Sequence, residues 1–150
     1  QLKYIHAVYD LAKEKGYIQD ATFTGMKHRM EQENMQRSEK VARGEAVYGL
    51  KEYTLDLYQE YELSMIEEAY ILDETNEGMG LTEEEIEAYY NTRDWIVGED
   101  ARKADLSEAR AAVIDEMRRN RYQELTEQKA AVAEVDGDMD QLSQFTLKQL

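Results

Sequence analysis

The side chains able to do bond chemistry are few and poorly spaced for it. The two histidines, His6 and His28, are 22 residues apart, whereas a helical zinc site needs its pair one turn apart with a glutamate between them. A di-iron bundle needs Glu three residues before each ligating His, but those positions hold Lys3 and Gly25. Asp136, Asp138 and Asp140 alternate like the first ligands of a calcium loop, yet the places that require Gly and a bidentate Glu hold Gln141 and Leu147. The chain has no cysteine, which removes the thiol nucleophile, the thiolate metal site and the disulfide framework. No glycine-rich phosphate loop and no G-x-S-x-G elbow is present. The expectation is a protein that is not an enzyme and holds no metal or cofactor.

The remaining chemistry is that of binding. Eleven Tyr and seven Met stand against two Phe and one Trp. Tyr joins an apolar body to a polar tip, and Met adapts to irregular partners, a composition suited to surfaces that take varied apolar segments. Tyr48, Tyr53, Tyr89, Tyr90 and Trp95 fall at helix ends or in loops and are candidates for a partly open groove. Tyr58, Tyr61 and Met65 read first as core filling on one helix stripe and are carried with the others as client-contacting candidates.

Charge narrows the partners. Eighteen basic and 33 acidic residues give a net −15, which argues against nucleic acid and anionic membrane surfaces. Nearly all of it sits in residues 51–100, with 2 basic and 16 acidic side chains. This is either a well-solvated helical face or a surface that repels acidic partners and recruits basic ones. No apolar run approaches the roughly 20 residues of a membrane-spanning helix.

The elements that must position these residues are helices. The absence of proline fits a chain that is mostly helix interior, where each would cost about 3 kcal/mol. Ile5, Val8, Leu11 and Ala12 mark a first helix over Tyr4–Lys15, closed by Gly16. Asp20 or Thr22 caps a second from Phe23 to Arg43, polar in its far half and packed along a narrow seam. Glu45–Glu52 reads as an irregular connection. Thr54 caps a third helix whose stripe is Tyr58, Tyr61, Met65, Ala69 and Leu72, flanked by Leu57, Ile66 and Tyr70; its outer face carries Asp56, Glu60, Glu62, Glu67 and Glu68. Thr82 and Glu85 spell a capping box, with Leu81 and Ile86 as the hydrophobic staple, before a short helix ending near Arg93. The last helix runs from Asp105 or Ser107 to about Ala133. The reading is an all-α, irregular multi-helix domain of about five helices over residues 1–135, with a loop and tail over 136–150.

Several motifs carry a family resemblance. Gly80–Asn91 (GLTEEEIEAYYN) resembles the GI-T/S-x-E-E-[IV]-x-x-Y-Y signature of the helical chaperone part of SurA- and PrsA-like foldases. Arg121–Leu125 (RYQEL) is similar to the helix that follows their isomerase insert. "G-x-I-x-D", "E-x-E-N-x-x-R" and "G-x-x-x-Y-G-x-K-x-[FY]-T" of a Gram-positive subgroup are matched by Gly16–Asp20, Glu31–Arg37 and Gly44–Thr54. The resemblance spans about residues 10–135. It implies a SurA N-terminal-domain-like fold and an extracytoplasmic chaperone module that holds unfolded or partly folded polypeptides. The 13 residues from Asp94 to Leu106 leave no room for the parvulin domain, so no isomerase activity is expected. The alternative is a structural or adaptor module acting through homodimerisation or a basic protein partner.

Overall fold

The computed structural model describes residues 2–132. The expected tail over 136–150 and the aspartates within it lie outside the described residues. Five helices account for most of the described chain: α1 (Leu2–Glu14), α2 (Phe23–Ala42), α3 (Leu55–Leu72), α4 (Glu83–Tyr90) and α5 (Leu106–Val132). Between α4 and α5 lies a two-residue hairpin that the sequence reading did not contain, β1 (Ile96–Val97) antiparallel to β2 (Arg102–Lys103), with Ile96 opposite Lys103. The fold is all-α in class.

Local chemistry sets the helix ends. Gly16 takes φ +76°, and Tyr17 N–H donates to the Ala12 carbonyl at 2.9 Å, closing α1 with a left-handed glycine. Of the two candidate caps for α2, Thr22 is the one used: its hydroxyl accepts from Gly25 N–H at 3.2 Å, while Asp20 accepts from the Thr22 amide at 2.9 Å. At α4 both halves of the capping box form, Glu85 N–H to the Thr82 hydroxyl at 3.2 Å and Thr82 N–H to the Glu85 carboxylate at 2.9 Å.

The chain divides into two compact units. Unit 1 holds Gln1–Ile66 with the chain from Thr126 onward, and unit 2 holds Glu67–Leu125. Where the sequence suggests one domain over 1–135, packing groups the residues twice. Unit 1 is built on Ile5, Val8, Tyr9, Ala12, Ile18, Met26, Tyr58 and Ile66. Unit 2 is built on Ile86, Trp95, Ala104, Ala109, Val113 and Met117. Each large apolar side chain removed from water in this way contributes about 1.5–3 kcal/mol before entropy is counted.

One expectation about facing is reversed. On α3 the regular stripe Met65, Ala69 and Leu72 points outward, Met65 being 51% and Leu72 66% exposed. The buried side is Tyr58, Gln59, Glu62, Ile66 and Tyr70, so Glu62, assigned to the outer face from its charge, is inside. The cause is α2, which supplies Arg29 to meet Glu62 in two bonds of 2.7 and 2.8 Å. A carboxylate with a bidentate guanidinium and a further donor is tolerable in a core where a lone one is not.

Candidate functional site

In unit 2 the aromatic candidates serve as scaffolding. α4, started by its capping box, carries Tyr89 and Tyr90 on its last turn. The Tyr89 hydroxyl donates to Glu116 at 2.9 Å and accepts from Asn120 at 3.0 Å; partial burial first, then the Glu116 contact, raise its pKa. The Tyr90 hydroxyl donates to the Ala104 carbonyl at 2.7 Å. Trp95 is 7% exposed, its indole N–H donating to the Tyr90 carbonyl at 3.1 Å and its face covered by the Arg93 guanidinium at 4.0 Å. All three polar tips are engaged, and Trp95 is a core residue rather than a wall of an open groove.

In unit 1 Tyr53, Tyr58 and Tyr61 come together, with ring centroids 5.0–5.9 Å apart. Tyr58 is buried and donates to Glu62 at 3.0 Å. Arg29, besides gripping Glu62, donates to the Asp20 carbonyl at 2.6 Å. The buried Tyr9 phenol lies in the field of the same carboxylate; desolvation first, then the Glu62 charge, push its pKa up, and Tyr58 is raised for the same reasons. Tyr53 and Tyr61 are half-buried and Met65 is exposed. The residues expected to line one cleft therefore fall in different units, Tyr48 to Met65 in unit 1 and Tyr89 to Trp95 in unit 2.

Unit 1 also contains a feature whose parts were visible in the sequence while its geometry was not. The far half of α2 has no buried residue after Met30. Beside it the segment from Glu45 to Tyr53 is held as an arm by two side chains. Asn34 pairs with the backbone of Tyr53 in both directions, donating to its carbonyl at 3.0 Å and accepting its N–H at 2.7 Å. One Arg37 nitrogen, Nη1, donates to the carbonyls of both Tyr48 and Leu50 at 2.7 Å. The Arg37 Nε meets Glu33 at 2.8 Å, and its guanidinium lies 4.9 Å from the Tyr53 ring centroid. Gly49 at φ +79° lets the chain turn around that nitrogen. Tyr48 at the tip is 88% exposed, with Leu50 at 42%, Val41 at 43% and Met35 at 58% nearby in sequence and also open to solvent.

Two grooves border the arm. One, of about 320 Å³, is lined by Asn34, Ser38, Val41, Lys51 and Glu52. The other, of about 140 Å³, is lined by residues including Glu33, Arg37, Lys40, Val47 and Tyr48. Among the described residues no group of three or more His, Cys, Asp or Glu side chains is placed to hold a metal ion, and no described helix is long and apolar enough to cross a membrane.

The acidic middle third is partly answered by arginines of α5. Arg119 reaches Glu67, Glu68 and Asp115, each at 2.9 Å. Arg118 meets Glu74 at 3.1 Å, Arg121 meets Glu85 at 3.1 Å, and Arg110 meets Glu83 at 2.5 Å. Part of the charge asymmetry is thus an internal pairing pattern, written as acids in one stretch and bases in another.

The comparisons with known proteins point away from the foldases. No family model matches. The chain is 36% identical over 151 aligned positions to a protein of Bifidobacterium longum subsp. longum named as a chaperone for lacto-N-biosidase. Two crystal structures of the GH136 lacto-N-biosidase from Eubacterium ramulus, the native protein and its selenomethionine derivative, share the fold with TM-scores of 0.72 and 0.75 at 19% and 18% identity. Each of them covers 89% of this chain and 28% of its own. These findings overturn the SurA- and PrsA-like resemblance. Its motifs have local explanations instead: the Gly80–Asn91 match is a capping box, a staple and two tyrosines anchored to nearby polar groups, the Glu31–Arg37 match is the stretch of α2 that holds the arm, and the Gly44–Thr54 match is the arm with its flanking residues. The match covers all of this chain but 54% of the Bifidobacterium protein, so the chain spans about half the length of the curated relative it matches.

Proposed function

We propose that this chain is a helical chaperone domain that assists the folding of a glycoside hydrolase of the lacto-N-biosidase type. The observation that carries the reading is the similarity along the whole chain to a protein named for that task. The structural likeness supports it, because a lacto-N-biosidase itself carries this fold over 28% of its chain. A helical domain built beside such an enzyme in one polypeptide is the arrangement expected of a dedicated partner, as opposed to a general holder of unfolded chains. On this reading the glycosidic chemistry belongs to the client, and this chain contributes surfaces alone.

The test is co-expression. The lacto-N-biosidase of Bifidobacterium longum is produced alone, with the Bifidobacterium chaperone, and with this chain. Soluble enzyme and hydrolytic activity should rise with either partner. If the Bifidobacterium chaperone raises them and this chain leaves them at the level of the enzyme alone, the proposal fails.

A further inference from the structure

We propose that the clamped arm of unit 1, with Tyr48 at its tip and Leu50 beside it, is the part of the chain that engages the client, and that it docks into an apolar socket on an already folded surface of the glycosidase. This rests on the chaperone reading and gives it a place. Three observations carry it.

The first is how the arm is held. No buried apolar residue lies in it; its shape is set by Asn34 on the Tyr53 backbone and by Arg37 Nη1 on the carbonyls of Tyr48 and Leu50. These are well-formed bonds between a helix and a loop that would otherwise sample many conformations. Fixing a loop before binding lowers the entropy lost on association, and that gain is realised only against a partner of defined shape. A surface for unfolded segments is better left adaptable.

The second is what the arm displays. Tyr48 is 88% exposed, with Leu50 at 42%. A tyrosine presented on a rigid turn is the type of residue that dominates interface energetics when a partner's pocket closes over it. The open grooves of about 320 and 140 Å³ bordering the arm give the partner's own side chains somewhere to enter.

The third is charge. The arm, residues 45–53, carries two acidic side chains and one basic, whereas unit 2 carries 17 acidic and 7 basic. The arm is a sparsely charged stretch of an acidic chain. Interface cores are depleted in charge because each buried charge must be stripped of water, so the uncharged tip of the arm, Ala46 to Leu50, fits an apolar socket and the acidic surfaces do not.

The test uses the full chain and the co-expression assay above. Tyr48→Ser combined with Leu50→Ser should lower recovery of active enzyme by roughly tenfold or more, with the circular dichroism and melting temperature of the variant unchanged. Arg37→Gln should lower recovery although Tyr48 remains, because it removes the Nη1 donor to both carbonyls. A photo-crosslinker, p-benzoylphenylalanine, in place of Tyr48 should capture purified, folded enzyme. Crosslinks that form only to enzyme diluted from urea, or only between two copies of this chain, would overturn the socket. Full recovery with the Tyr48/Leu50 variant overturns the arm while leaving the chaperone reading intact; no recovery with the wild type removes both.

Discussion

The two compact units place their charges in opposite ways. Unit 1 takes a carboxylate into its core, where Glu62 is held by Arg29 and Tyr58 with the Tyr9 phenol close by. Unit 2 keeps an apolar interior around Trp95, Ile86 and Val113 and sets its guanidinium–carboxylate pairs around the outside. The lesson is that the most acidic region of a chain is not where charge matters most for folding. An exposed pair is screened by water and contributes little, whereas breaking a buried one leaves a charge without a partner.

The largest test of that contrast is Arg29→Met. It leaves Glu62 inside unit 1 with its bidentate partner gone, and the expected loss is about 3–5 kcal/mol, read as a fall in the urea midpoint. A loss below about 1 kcal/mol would mean that Glu62 swings out to water and that the pair is a surface feature. Trp95→Ala should cost unit 2 a similar amount, about 3–5 kcal/mol, through lost transfer energy and the cavity left behind. Segment-resolved hydrogen exchange should show each change opening its own unit first.

A smaller effect separates the units by alkaline pH. Burial and the Glu62 charge raise the folded-state pKa of Tyr9 and Tyr58 above the ordinary value of 10.0. The folded chain therefore holds these protons more tightly than the unfolded chain does. The associated stability is complete below pH 10 and falls as pH rises beyond it. Exchange protection in α1 and the start of α3 should drop there before protection in α4. Equal loss in both units would show that Tyr89, the raised phenol of unit 2, matters as much.

Thr82→Ala removes the capping box and should cost about 1 kcal/mol, visible as faster exchange in the first turn of α4. The smallest effect is acid weakening of unit 2. Arg110 holds Glu83 low, the Thr82 amide holds Glu85 low, the Glu108 amide holds Asp105 low, and Arg102 holds Glu108 low. Depressed carboxylates give stability that is present above the ordinary carboxylate range and lost as pH falls through their folded values. A shallow decline of the urea midpoint as the pH is lowered past about 4 should be shared by Glu85→Gln to a lesser degree.

What was legible in the sequence follows the range of the forces involved. Helix ends are set by neighbours within four residues, and Gly16, Thr22, Gly44 and the Thr82–Glu85 box mark them where they occur. The five helices follow from those signals. The facing of α3 does not, because Glu62 turns inward for an arginine 33 positions away, and no periodicity in α3 records what α2 supplies. The arm is similar: Asn34 and Arg37 stand out as a motif, but their partners are backbone atoms, which leave no mark in residue types. The short hairpin escaped because two-residue strands carry no alternation to detect, even though Gly98 at φ +78° stands in its turn together with Ala101 at φ +52°.

The division of the chain has a consequence in time. Unit 2 is one unbroken stretch, Glu67–Leu125, while unit 1 takes its first residues from Gln1–Ile66 and its last from Thr126 onward. On the ribosome, unit 2 has its full complement of residues before Thr126 has been added. Unit 1, begun first, is completed last, because α1, α2 and the arm between α2 and α3 belong with the part of α5 that starts at Thr126. Truncation after Leu125 would therefore leave unit 2 with all its residues and unit 1 without its last segment.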